Sequence, residues 1–239
     1  NTAYGFTSLD AITTGDRNTV LGYNAGTSIN AGSDNIAIGY NALGAEDGNG
    51  RNVAIGSAAL AVQNAGADAY NVAVGYAAGI AVTTGVRNTL IGGLAGDTIT
   101  TGNFNTALGY QALAAEDTGN YNTAIGYKAL ALQDAGDAYN TAVGFSAGEN
   151  MTTGVNNTLI GSLAGDALTT GVQNVAVGYE ALSTENAHGT VVAVGFQALK
   201  TQDAGANTYN VAVGYQAGVS VTTGIYNTLI GGLAGDALT

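Results

Sequence analysis

The chain has 239 residues and a formal charge of −12, with 38 glycines, no proline, no cysteine, no tryptophan and only 9% charged residues. Its five Lys and Arg are too few to neutralise a phosphate backbone or hold an anionic membrane surface, so neither nucleic acid nor membrane is an expected partner. The 46% apolar content is set at regular intervals, which marks an ordered chain and not a Gly-rich disordered one, and the lack of cysteine removes disulfides and thiolate chemistry.

Read from the first residue, one unit recurs: N-[T/V/I]-x-[I/L/V]-G, then an aromatic or small residue, then x-A-[L/G]. It begins at Asn1, Asn18, Asn35, Asn52, Asn71, Asn88, Asn105, Asn122, Asn140, Asn157, Asn174, Val191, Asn210 and Asn227. The steps are 17 residues, except for 19, 18 and 19 after the units that start at Asn52, Asn122 and Val191. The longer steps divide residues 1–239, read as one continuous repeat array, into blocks 1–70, 71–139 and 140–209 and a truncated 210–239. With no Met and no basic leader before NTAYGF, the sequence is read as an internal segment, and the fourth block is expected to continue past NTLIGGLAGDALT.

A 17-residue period is too short for helical repeats, which need more than ~30 residues. Each unit reads as two short strands, NVAVG then YQAGV or NTAIG then YKALA, with turns at TTGVRN and DAGDAYN. Such units stacked at ~4.8 Å predict an all-β fold, a parallel β-solenoid (β-roll) of about 17-residue two-strand rungs. Gly at the fifth position (Gly92, Gly161, Gly231) suits φ > 0 or a close backbone approach, and the first-position Asn residues suit a side-chain ladder. Where the third position is Ala (Ala73, Ala107, Ala124), the sixth is usually aromatic (Tyr76, Tyr110, Tyr127), with Ser57 after Ala54 as an exception. Where it is Leu (Leu90, Leu159, Leu229), the sixth shrinks to Gly93, Ser162 or Gly232 and the seventh becomes Leu94, Leu163 or Leu233. The pattern reads as volume traded within one packed interface. A coil so rich in alanine is expected to enclose too little core alone, so the array is expected to be a homotrimer that shares its core.

Units such as NVAVGYAAG, NTALGYQALA, NTAIGYKALA and NVAVGYQAG resemble the YadA-like head repeats of trimeric autotransporter adhesins, and similar repeats occur in bacteriophage tail fibres. The resemblance spans all fourteen units, although those heads use units nearer 14 or 15 residues. It implies a homotrimeric left-handed parallel β-roll in an extracellular fibre, on a bacterial cell surface or a virion. The implied role is spacer and host attachment (adhesin) through a cell-surface glycan or protein receptor. A phage tail fibre or tailspike segment that binds a host receptor is the alternative, with polysaccharide hydrolysis disfavoured by the lack of a cleft.

No catalytic constellation is legible, so the segment is read as a non-enzyme without cofactor or metal. The lone histidine, His188 in ENAHGT, is read as a solvated turn residue, although its unit also lacks the first-position Asn. Recurring acids (Asp97, Asp166 and Asp236; Glu46/Asp47 and Glu116/Asp117; Asp134 and Asp203) are read as a solvated rim, with weak calcium binding as the alternative. Threonine pairs such as Thr83/Thr84 and Thr152/Thr153 miss half of the rungs, which an ice-binding face would not. The candidate ligand surface is the long turns that close each block. Their Tyr70, Tyr139 and Tyr209 offer stacking faces, and Gln63, Gln133, Gln202, Asp134 and Asp203 offer hydrogen bonds to a glycan.

Overall fold

Positions two to four of every unit form a three-residue strand. The computed structural model describes residues 1–239, which fall into two units, Asn1–Tyr121 and Asn122–Thr239; the division lies between coils and does not coincide with a block boundary. The first unit contains β1 (Thr2–Tyr4), β2 (Thr19–Leu21), β3 (Ile36–Ile38), β4 (Val53–Ile55), β5 (Val72–Val74), β6 (Thr89–Ile91) and β7 (Thr106–Leu108). The second contains β8 (Thr123–Ile125), β9 (Thr141–Val143), β10 (Thr158–Ile160), β11 (Val175–Val177), β12 (Val192–Val194), β13 (Val211–Val213) and β14 (Thr228–Ile230). Within each unit successive strands pair in parallel and in chain order, Leu90 with Ala107 and Leu159 with Ala176. The longer steps keep this register, since Ala54 still faces Ala73 and Ala124 still faces Ala142. There is no helix. The fold is an all-β parallel β-solenoid with a spacing of about 17 residues.

One strand per rung replaces the two expected. The segment read as a second strand is a chain of turns, because its seventh and ninth residues sit in the left-handed region: Thr7 and Leu9 at φ 53° and 55°, Gln216 and Gly218 at 52° and 63°. A third left-handed residue ends the unit, as at Arg17 (φ 57°) and Tyr226 (φ 59°). Alternating left-handed residues bend the backbone too sharply for an extended strand. Val and Ile, which tolerate this region least, occupy the second and fourth positions and never the seventh or ninth.

Each coil builds its core from its third, eighth and twelfth residues, with the ninth added where it is Leu. Ala37, Ala42, Leu43, Ala54, Ala59 and Leu60 are fully buried in one chain, as are Ile29, Ile99, Met151 and Leu168. The small-residue face is thus already covered within one chain. The volume exchange also has a different partner. Leu90 reaches into the space that glycine leaves at the ninth position, its Cδ1 2.6 Å from where a Gly79 Cβ would stand and its Cδ2 2.8 Å from that of Gly96. Leu159 does the same against Gly148 (2.7 Å) and Gly165 (2.8 Å). The sixth residue points outward instead, with Tyr76 exposed.

Two devices lock the coils together. At Gly161 the backbone has φ 134°, and a Cβ there would lie 2.4 Å from the Gly178 carbonyl oxygen of the next coil, so a positive φ and a close approach both demand glycine. The asparagines form the second. Asn157 Oδ1 accepts the Asn174 N–H at 2.9 Å, and its Nδ2 donates to the Gly171 carbonyl at 2.8 Å. Asn18, Asn35, Asn71, Asn88 and Asn140 repeat this pair of bonds while fully or almost fully buried. The ladder satisfies turn carbonyls that water cannot reach.

Candidate functional surface

The block-closing turns carry their added residues outward. Gly66, Gly136 and Gly205 have φ of 69°, 70° and 69°, with nothing within 4 Å of the place a Cβ would occupy. The following residues return to the wall: the Asp68 carboxylate accepts the Gly50 N–H at 3.2 Å, and Asn207 Oδ1 accepts the Gly189 N–H at 3.0 Å.

The structure separates the candidate ligand residues. Tyr70, Tyr139 and Tyr209 are 48%, 54% and 50% exposed, and Asp134 and Asp203 are exposed as well. The three glutamines are not part of that surface. Gln63, Gln133 and Gln202 are fully buried at the twelfth position, their Oε1 accepting from the ladder amides of Asn71 (2.7 Å), Asn140 (3.0 Å) and Asn210 (2.8 Å). They extend the asparagine ladder into the core and are out of reach of a receptor. Gln202 Nε2 donates to Thr208 Oγ1 (2.8 Å) and Glu185 Oε2 (3.3 Å). The first two blocks hold Ala69 and Ala138 where the third holds Thr208, and there the Nε2 atoms of Gln63 and Gln133 are buried without a partner.

The acids also divide. Glu46, Glu116 and Glu185 are fully buried, so the expected solvated rim loses Glu46 and Glu116. Each sits at the twelfth position, one coil before a buried glutamine, and caps its own turn. Glu46 Oε1 accepts the Asn49 N–H (3.1 Å), Glu116 Oε1 the Gly119 N–H (2.7 Å) and Glu185 Oε1 the His188 N–H (3.2 Å). Burial pushes the Glu46 carboxyl above its ordinary value. The half-buried Asp97 and Asp166 are raised for the same reason, and each has one oxygen without a hydrogen bond. His188 is not simply solvated: its Nδ1 lies 3.3 Å from Glu185 Oε1, and its side chain is 29% exposed.

Two exposed columns run along the coils. One is the residue that ends each unit, where the tyrosines of the long turns belong. Arg51 donates to the Tyr70 hydroxyl (3.0 Å) with its guanidinium 5.4 Å from the ring centre. Phe104 stacks on Tyr121 at 5.3 Å, and Tyr209 on Tyr226 at 5.3 Å with planes 1° apart. Left-handed backbone at this position aims successive side chains outward in register. Sequence reasoning singled out three members of the column and missed others, since Arg17, Arg51, Arg87, Phe104 and Tyr121 occupy the same position in their coils.

The other column is the sixth position. Phe6, Tyr23 and Tyr40 stack at 5.6 and 5.8 Å in the first unit, and Tyr179, Phe196 and Tyr215 at 5.4 Å each in the second. Beside it the fourth position is always apolar or aromatic, from Tyr4 through Leu21, Ile38, Leu108 and Ile160 to Ile230, and it is exposed or half-buried throughout. An exposed apolar and aromatic stripe therefore follows the strands in each unit. No protein-family model, curated protein or solved structure matches the chain.

Proposed function

We propose that the chain is a non-catalytic segment of an extracellular homotrimeric fibre that serves as spacer and attachment surface. The observation that carries this reading is the stripe of fourth- and sixth-position side chains. Contiguous exposed apolar surface of this kind marks an association face, and its in-register repetition suits a parallel second copy better than a folded partner of irregular shape. The core does not supply the driving force, since each coil covers its own alanines. The number three comes from the resemblance to YadA-like and phage-fibre repeats. Attachment falls to the end-of-unit column, where the exposed rings of Tyr70, Tyr139 and Tyr209 and the nearby Asp134 and Asp203 suit the faces and hydroxyls of a glycan.

The test exchanges Tyr179, Phe196 and Tyr215 for Ser, a residue that Ser57 and Ser162 show the sixth position already holds. Sedimentation velocity on the variant should show loss of the trimer with the β circular dichroism retained. A trimer that survives the exchange overturns the role of the stripe.

A further inference from the structure

The turn that holds His188 differs from its counterparts in a way that the solenoid does not need. In the first block the twelfth and fifteenth positions of the third unit are Glu46 and Asn49, and the thirteenth of the next unit is Asn64. In the second block they are Glu116, Gly119 and Asp134. Only the third block combines Glu185, His188 and Asp203, and in the same block the ladder asparagine is replaced by Val191. One ligand atom from each of Glu185, His188 and Asp203 lies within 4.8 Å of the other two. We propose that these three residues form a binding site for a first-row divalent cation of Zn2+ type, with the fourth position open to solvent.

Three features support it. The first is the donor set: an imidazole nitrogen with two carboxylates selects a borderline ion such as Zn2+ over Ca2+ or Mg2+, which take oxygen ligands. The second is spacing. Ligands at 2.0–2.1 Å in tetrahedral geometry stand roughly 3.4 Å apart, and His188 Nδ1 stands 3.3 Å from Glu185 Oε1. Asp203 is exposed, so its carboxylate swings in at little cost and the site opens to solvent on that side. The third is an electrostatic need. Glu185 is fully buried, and its hydrogen bonds from the His188 N–H and Gln202 Nε2 are long, at 3.2 and 3.3 Å. In the first block Glu46 Oε2 also lies 3.5 Å from the ladder amide of Asn52. Val191 offers no such donor to Glu185 and no acceptor to the coil that follows. A cation between Glu185 and Asp203 compensates the buried charge and clips two successive coils together where the ladder is broken.

The test is isothermal titration of the tag-free chain with Zn2+, then with Mg2+ and Ca2+, followed by the visible spectrum of the Co2+ form. The variants are His188→Asn and Asp203→Asn, which install residues that the first block carries at Asn49 and Asn64 and so keep the turn foldable. The expected result is one Zn2+ per chain, undisturbed by excess Mg2+ and Ca2+, with intense tetrahedral Co2+ bands. Affinity should weaken at least about tenfold in each variant, and Zn2+ should slow amide exchange in the two coils that hold residues 185–209. No uptake, or uptake of the same stoichiometry and affinity in His188→Asn, overturns the proposal.

Discussion

Replacing Gly161 with Ala adds a single carbon and isolates what the fifth position requires. At φ 134° that carbon lies in a region nearly closed to side chains, a strain of about 1–3 kcal/mol. It also stands 2.4 Å from the Gly178 oxygen and 2.6 Å from the Gly178 carbonyl carbon, which forces two coils apart and adds a further ~1–3 kcal/mol. Gly136→Ala is the internal control. It lies in the same unit at φ 70° and meets nothing within 4 Å, so only left-handed strain of about 1–2 kcal/mol applies. Urea unfolding followed by circular dichroism should give a loss of roughly 2–6 kcal/mol for Gly161→Ala, clearly above that of the control. Amide exchange should place the weakening in the coils on either side of residue 161, because a solenoid couples nearest neighbours. Equal losses for the two variants would show that the coil-to-coil approach is not the constraint.

Asn157→Ala removes an acceptor for the Asn174 N–H and a donor to Gly171 within a buried ladder and should cost about 2–4 kcal/mol in the same urea assay, whereas exposed Asn150→Ala should change little. Leu159→Ala empties the space between Gly148 and Gly165, with an expected loss of about 2–5 kcal/mol in the same assay. Burial raises the carboxyls of Asp97 and Asp166 above 3.8, so the folded state binds more protons than the unfolded state in the window above that value. The associated stability is complete below 3.8 and is lost as pH rises through the raised values, so melting points should climb as pH is lowered through those values toward 3.8, and Asp97→Asn with Asp166→Asn should raise the pH 7 value and flatten the slope. On a glycan array, a folded variant with Ala at Tyr70, Tyr139 and Tyr209 should lose the binding of the parent chain; equal binding would leave the segment as a shaft.

The period, the parallel stacking, the asparagine ladder and the demand for glycine at the fifth position were all legible in the sequence. They are one-dimensional: a residue type recurring every 17 positions meets its own copy in the next coil, whatever the path between. Which way a side chain points within the coil was less legible. Tyr-x-Ala-Gly suggests a strand by composition, and its turns are betrayed only by the lack of Val and Ile at the seventh and ninth positions. The same ambiguity put Gln63, Gln133 and Gln202 on the surface. The clue was that the twelfth position holds Ile29, Val82, Ile99, Met151 and Leu168 in other units, so a glutamate or glutamine there inherits an interior site. His188 was read through its own turn alone, whereas its partner Glu185 occupies that interior column and Asp203 comes from the next coil.

The mass of the chain in solution tests the association of the exposed stripe most directly. Multi-angle light scattering across a tenfold range of micromolar concentration should give three times 23.5 kDa throughout. A folded, non-aggregating monomer of 23.5 kDa at every concentration would contradict the account.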